Sequence, residues 1–221
     1  MEDIRISGMG DLPGGEYRSV SVSGMGKCTG ALSAQSVTVN GTFNCKGSLD
    51  SQTTAVNGTL KCAGPLRTER FSCNGMADLL GDTVANTLTV GGMVHVKAAK
   101  LEGAEITCTG ILQSDGQISA DRVKVTGVVK AREIVGDHVS IRSHHVSLLK
   151  MFLPSASSIS SADLIEATTI DLEGVKAGVV NGHDITIGAA CTVDCVDCTG
   201  TLRIHPSAAV GSVTGDYTML G

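Results

Sequence analysis

The residues best spaced for chemistry in this chain lie in the stretch CTVDCVDC, with Cys191, Cys195 and Cys198. Cys195 and Cys198 form a CxxC pair, and His183 and His205 flank the stretch. Thiolates and imidazoles in such a set would suit a tetrahedral zinc site. A second chemistry is general-base catalysis, since the chain holds six histidines and His144 and His145 stand side by side. A catalytic histidine needs a nucleophile, an acid or a second base within reach. No carboxylate pair and no nucleophile with partners stands out, so the chain is expected not to be an enzyme and to carry no cofactor.

Whether the cysteines are ligands depends on the elements that hold them, and those are set by a repeat. VTVNGTFNCKGSL at 37–49 returns as AVNGTLKCAGPL at 55–66. An apolar-x-apolar-x-Gly motif occurs as Val20/Val22/Gly24, Val37/Val39/Gly41, Thr54/Val56/Gly58, Phe71/Cys73/Gly75 and Leu88/Val90/Gly92, each seventeen residues after the last. It extends back to Ile4/Ile6/Gly8 and forward, with one-residue slips, through Ile106/Cys108, Val123/Val125 and Val139/Ile141. A second series precedes it at Leu32, Leu49, Leu66, Val84, Leu101, Ile118 and Ile134, and a third follows at Phe43/Cys45, Leu60/Cys62, Ala77/Leu79 and Val94/Val96.

Period two over a few residues means strand. Three brief strands and three corners in each repeat describe one turn of a β-helix. The fold class expected is all-β: a parallel β-helix, a solenoid of short strands with coils of about 17 residues. Right-handed winding is the general preference of parallel crossovers. Glycine at the corner is expected to supply φ > 0, with Asn40, Asn57 and Asn74 as turn formers.

The repeat also bears on the cysteines. Cys28, Cys45 and Cys62 are spaced by seventeen and are expected to stack as buried thiols. Cys198 is read in the register of Cys73 and Cys108, and Cys191 in that of Leu66. Both then point inward, Cys195 alone faces out, and no metal site forms.

The chain divides into a solenoid segment at 3–146, an irregular loop at 147–161 marked by Pro154 and a serine cluster, and a second solenoid segment at 162–215. Register is expected to resume there at Ile170/Leu172, Ile185/Ile187 and Val196/Cys198. Ten to twelve coils make a rod of roughly 50 Å at the strand spacing. Leu148, Leu149, Lys150, Met151, Phe152 and Leu153 form an apolar patch in the loop. That patch would dock a partner protein or dip into a membrane surface, or else fold over the rod as a flap.

A net charge of −5 without a basic stripe argues against nucleic acid. No window approaches the ~20 apolar residues of a membrane helix, and MEDIRISG lacks an apolar leader core. A cytoplasmic protein, with peripheral membrane contact through the loop patch, is expected.

The VxVNG repeat, the opening IRISGMG and the late stretch LIEATTIDLEGVKAGVVNGHDITIGAACTVDCV resemble the bactofilins, bacterial polymer-forming cytoskeletal proteins, and in particular the longer forms of spore-forming Gram-positive bacteria. The resemblance spans nearly the whole chain. It implies a right-handed parallel β-helix that polymerises end to end without nucleotide and organises envelope, cell-shape or sporulation-related proteins, with another bactofilin as an additional partner. Many members carry disordered tails and a short N-terminal membrane-touching peptide, and neither is expected here.

Strand edges left open on the first and last coils would template another chain. The expected polymer contacts are Ile4, Ile6, Val20 and Val22 at one end and Leu202, Ile204, Val210 and Val213 at the other. The alternatives are a trimeric β-helix enzyme like the hexapeptide acyltransferases, whose isoleucine-led repeats of about eighteen residues differ from the pattern here, and a rod capped by loops such as HPSAAVGS and kept monomeric as a binding module.

Overall fold

The computed structural model describes residues 1–143 and 159–220. It is a parallel β-solenoid of about 12 coils, with 74% of residues in strands and no helix among the described residues. Burial must therefore follow strand alternation throughout.

One coil shows the plan. Strand Leu32–Val39 is bent at its middle: Leu32 and Ala34 point inward, Gln35 and Ser36 turn the corner, and Val37 and Val39 point inward again on a second face. After the Asn40–Gly41 corner, Phe43 and Cys45 of Thr42–Cys45 form the third face. The coil is thus three-sided, with two inward side chains per side.

Coils stack in register. Val37 pairs with Val20 below and Thr54 above, and Cys45 pairs with Cys28 and Cys62. Every pairing is parallel, so each layer's amides and carbonyls are satisfied by its neighbours along the axis. The core is a set of six columns of small and medium side chains, which is why a chain with three phenylalanines and no tryptophan fills it.

The glycine at the second corner has a reason other than the one expected. Among the described residues, positive φ occurs at Gly14, Gly15, Gly174, Gly215 and Ala190, and not at Gly24, Gly41, Gly58, Gly75 or Gly92. What excludes a side chain is the layer beneath: a Cβ on Gly58 would stand 2.0 Å from the carbonyl oxygen of Gly41. That carbonyl accepts from the Thr59 amide at 2.8 Å, so the backbones are drawn together by hydrogen bonding. The Asn57 and Gly58 amides both donate to the Val39 carbonyl, at 2.8 and 2.9 Å. Asn40, Asn57 and Asn74 form an amide ladder on the outside, with Nδ2 donating to Oδ1 of the residue below at 2.9 and 3.2 Å.

Three readings of register are corrected. Thr83, not Val84, occupies the column of Leu66 and Leu101; it is fully buried and donates its hydroxyl to the Gly81 carbonyl, while Val84 is 38% exposed. In the second segment the coils shorten, with Ile170 pairing Ile185 and Ile165 pairing Val180, before Ile185 pairs Leu202. The shortening moves Cys198 to the first face, opposite Gly182, rather than into the column of Cys73 and Cys108. Cys191 lies on the third face, immediately before Thr192, and not in the column of Leu66. Their inward orientation stands, because both are buried.

Stacking is continuous across the irregular segment. Strand Val128–Arg142 pairs directly with Ser160–Glu173, from Lys130 opposite Ser161 to Arg142 opposite Glu173. Ser160 and Ser161 therefore belong to the solenoid, two residues inside the stretch read as loop. The Ser160 hydroxyl accepts from the Val129 amide at 3.1 Å, which fixes the strand start there. Leu148 to Leu153 and the His144–His145 pair lie outside the described residues.

Candidate assembly surfaces

At the N-terminal end, strand Glu2–Ile6 pairs with Gly15–Val22 and Met9–Leu12 pairs with Met25–Cys28, each on one side only among the described strands. Among the described residues no strand pairs with the outer edge of either. Ile4 is partly buried and packs on the core, while Ile6 and Leu12 are 7% and 6% exposed. Val20 and Val22 sit one layer further in, opposite Ile4 and Ile6, and are sealed. The expected contact set at this end therefore contracts to Ile4 and Ile6, because the first coil covers the second.

The C-terminal end is built similarly. Ala209–Thr214 pairs only with Thr192–Cys198, leaving Val210 and Val213 partly buried on the last full layer. Leu202 is fully buried, since Met219 stacks over it through strand Thr218–Met219. Ile204 stays partly buried beside it. Met219, at 53% exposure, is the end residue that sequence reading missed. The spacing of seventeen from Leu202 to Met219 carried the signal, one repeat beyond the last one counted.

The zinc set is taken apart by this geometry. Cys191 and Cys198 point into the coil on different faces, and the Cys198 thiol donates to the His183 carbonyl at 3.1 Å. Cys195 turns outward next to Val179. The His183 imidazole reaches Thr199 Oγ1 at 3.3 Å, and His205 reaches Ser207 at 2.8 Å. Among the described residues no three His, Cys, Asp or Glu side chains gather to hold a metal ion.

The stacked thiols are shielded. Burial pushes Cys73 up to about 11 and Cys108 up to about 12. Cys45 is raised by the neighbouring Cys62 thiol and then by burial. Asp184 is held low by the hydroxyl and amide of Thr201, a local surface bond between adjacent coils.

An open groove crosses the first face, lined among others by Asp50, Arg67, Glu69, Val84 and Glu102. Among the described residues no helix is long and apolar enough to cross a membrane.

No family model and no solved structure matches the chain. An uncharacterized protein of Bacillus subtilis strain 168, YhbE, is 32% identical to it over 104 residues. That stretch takes in 45% of this chain and 43% of YhbE, so the chain is similar to less than half of that relative's length.

Proposed function

We propose that this protein is a structural scaffold of the bactofilin kind, which assembles without nucleotide into filaments by end-to-end contact between solenoids. The observation that carries the reading is the pair of open ends. Each presents unpaired strand edges beside apolar residues, Ile4 and Ile6 at one end and Val210, Val213 and Met219 at the other. Such an edge is a template for strand addition. Joining two ends extends the same ladders that hold each rod together. A filament of this kind would organise envelope, cell-shape or sporulation-related proteins in the cytoplasm, with the apolar stretch 148–153 of the sequence as the proposed contact to a client or the membrane surface.

Negative-stain microscopy of the purified chain, without nucleotide and with excess chelator, tests this reading. Unbranched filaments are expected, and Ile4→Lys or Val213→Lys should abolish them while the β circular-dichroism signal stays. Monomeric rods at all concentrations, or filaments unaffected by both variants, would overturn it.

A further inference from the structure

One flank of the rod carries no charge. The stretches 20–26, 37–43, 54–60, 71–77, 88–94 and 106–112 contain no Asp, Glu, Lys or Arg, although the chain has 39 such residues, 17 basic and 22 acidic, and Arg70 and Glu105 stand just outside the strip in the column of Thr53 and Thr87. Stacking brings these stretches together as the outer side of the second face and the glycine corner after it. Along the corner's far edge runs a column in which Met25, Thr42, Thr59, Met76, Met93 and Ile111 pair in succession. Met25 is 57% and Met76 43% exposed. Thioether side chains adapt their shape to a partner and make no polar demand. The exposed amides of Asn40, Asn57 and Asn74 are already bonded to one another. Covering this flank would therefore strand few polar groups and no charge.

We propose that the flank is a lateral self-association surface on which a second copy of the chain packs antiparallel. Periodicity supports this occupant, because knobs repeating at ~4.8 Å mesh best with a surface of the same repeat. Charge supports the direction. The third-face column beside the methionines carries Lys27, Asn44, Lys61, Asp78, His95 and Gln113 on its outer side. A two-fold axis between the coils of Thr59 and Met76 sets Lys61 of each copy against Asp78 of the other. Parallel packing would set this charged column against the neutral Ser and Thr side chains of the second face. Isologous contacts of this kind close on themselves, and the facing charges fix register.

Size sets the strength. Six coils at ~4.8 Å and a width of about five residues give roughly 450 Å² per rod, below the ~800 Å² per partner of a stable complex. Single rods should pair weakly. Where rods are joined end to end, which rests on the filament reading above, the contact repeats and becomes strong.

The test uses the full chain with Cys195→Ser, Met25→Cys and Ile111→Cys, treated with a short bismaleimide at rising protein concentration. Met25 and Ile111 are five coils apart in one rod, roughly 24 Å at the strand spacing, so a short linker joins them only between copies. Dimers linked 25 to 111 are expected. Adding Ala55→Lys, which places a cation near the axis, should lower their yield at least tenfold, to that of a control with cysteine at Glu69, with the circular-dichroism spectrum unchanged. Links of 25 to 25, a yield no higher than the Glu69 control, or no response to Ala55→Lys would overturn the proposal. The filament reading is decided separately, by rod length in the micrographs.

Discussion

Gly41 stands over Gly24 so closely that a Cβ on Gly41 would lie 2.0 Å from the Gly24 carbonyl oxygen. The same relation holds between Gly58 and Gly41, Gly75 and Gly58, and Gly92 and Gly75, at 2.0 to 2.1 Å. The corner is where one layer's backbone rests on the next, so the glycines permit the spacing that the hydrogen bonds between layers set.

Adjacent glycines should then respond differently. Gly92→Ala forces a methyl group into the Gly75 carbonyl, and about 3 kcal/mol of destabilisation is expected, at the upper end of ordinary overpacking. A Cβ on Gly91 would crowd the Asn74 Oδ1 atom at 2.9 Å, the end of a side chain that can turn, with its other neighbours at ordinary contact distance from 3.8 Å. Gly91→Asn should extend the amide ladder and raise stability by about 0.5 kcal/mol. Guanidinium unfolding of the two variants checks both signs.

Phe43 is fully buried, and its ring lies 3.0 Å from where a Cβ of Gly26 would be, one coil below. The large residue fills the space that the small one leaves. Phe43→Ala should cost about 3–5 kcal/mol, and Gly26→Ala with Phe43→Leu should lose much less than the alanine variant alone. Thermal melts of the two give the comparison.

The first-face corner near Thr54 holds a chain of hydroxyls. Ser51 Oγ lies 2.7 Å from Thr54 Oγ1 and donates to Thr68 Oγ1 at 3.0 Å, and Thr68 donates to the Arg70 carbonyl at 3.1 Å. Thr54 is fully buried. Ser51→Ala strands the Thr54 hydroxyl, at an expected cost of about 1–3 kcal/mol. Adding Thr54→Val removes the stranded group and should recover most of the loss, which a double-mutant cycle measures.

Seven of the eight cysteines are buried and Cys195 is half-exposed. In the native protein Cys195 should react with a thiol reagent, and the others only after unfolding. Burial raises the Cys108 thiol from 9.0 to about 12, so the folded state keeps a proton that the unfolded state releases. Its contribution is complete below pH 9 and is lost as pH rises toward 12. Stability should fall across that window, and less steeply in Cys108→Ala, as read from denaturation midpoints at stepped pH.

Periodicity made most of this legible from the chain alone. Positions such as Val37/Val39 and Phe43/Cys45 alternate and recur at seventeen, and a strand that alternates with that repeat has one way to bury its apolar side chains. The coil, the three faces, the stacked thiols at 28, 45 and 62 and the open end at Ile4 follow from that constraint. Tertiary structure decided what the repeat underdetermines. It placed Thr83 inward over Val84, because a buried hydroxyl with a carbonyl partner costs little and the column above Leu66 fixed the register. It moved Cys198 to another face, because shortened coils shift register without altering local alternation. It sealed Leu202 beneath Met219, and it gathered uncharged stretches distant in sequence onto one flank. Each of these depends on what lies one coil away along the axis, and neighbours in the stack are set by the winding of the whole chain.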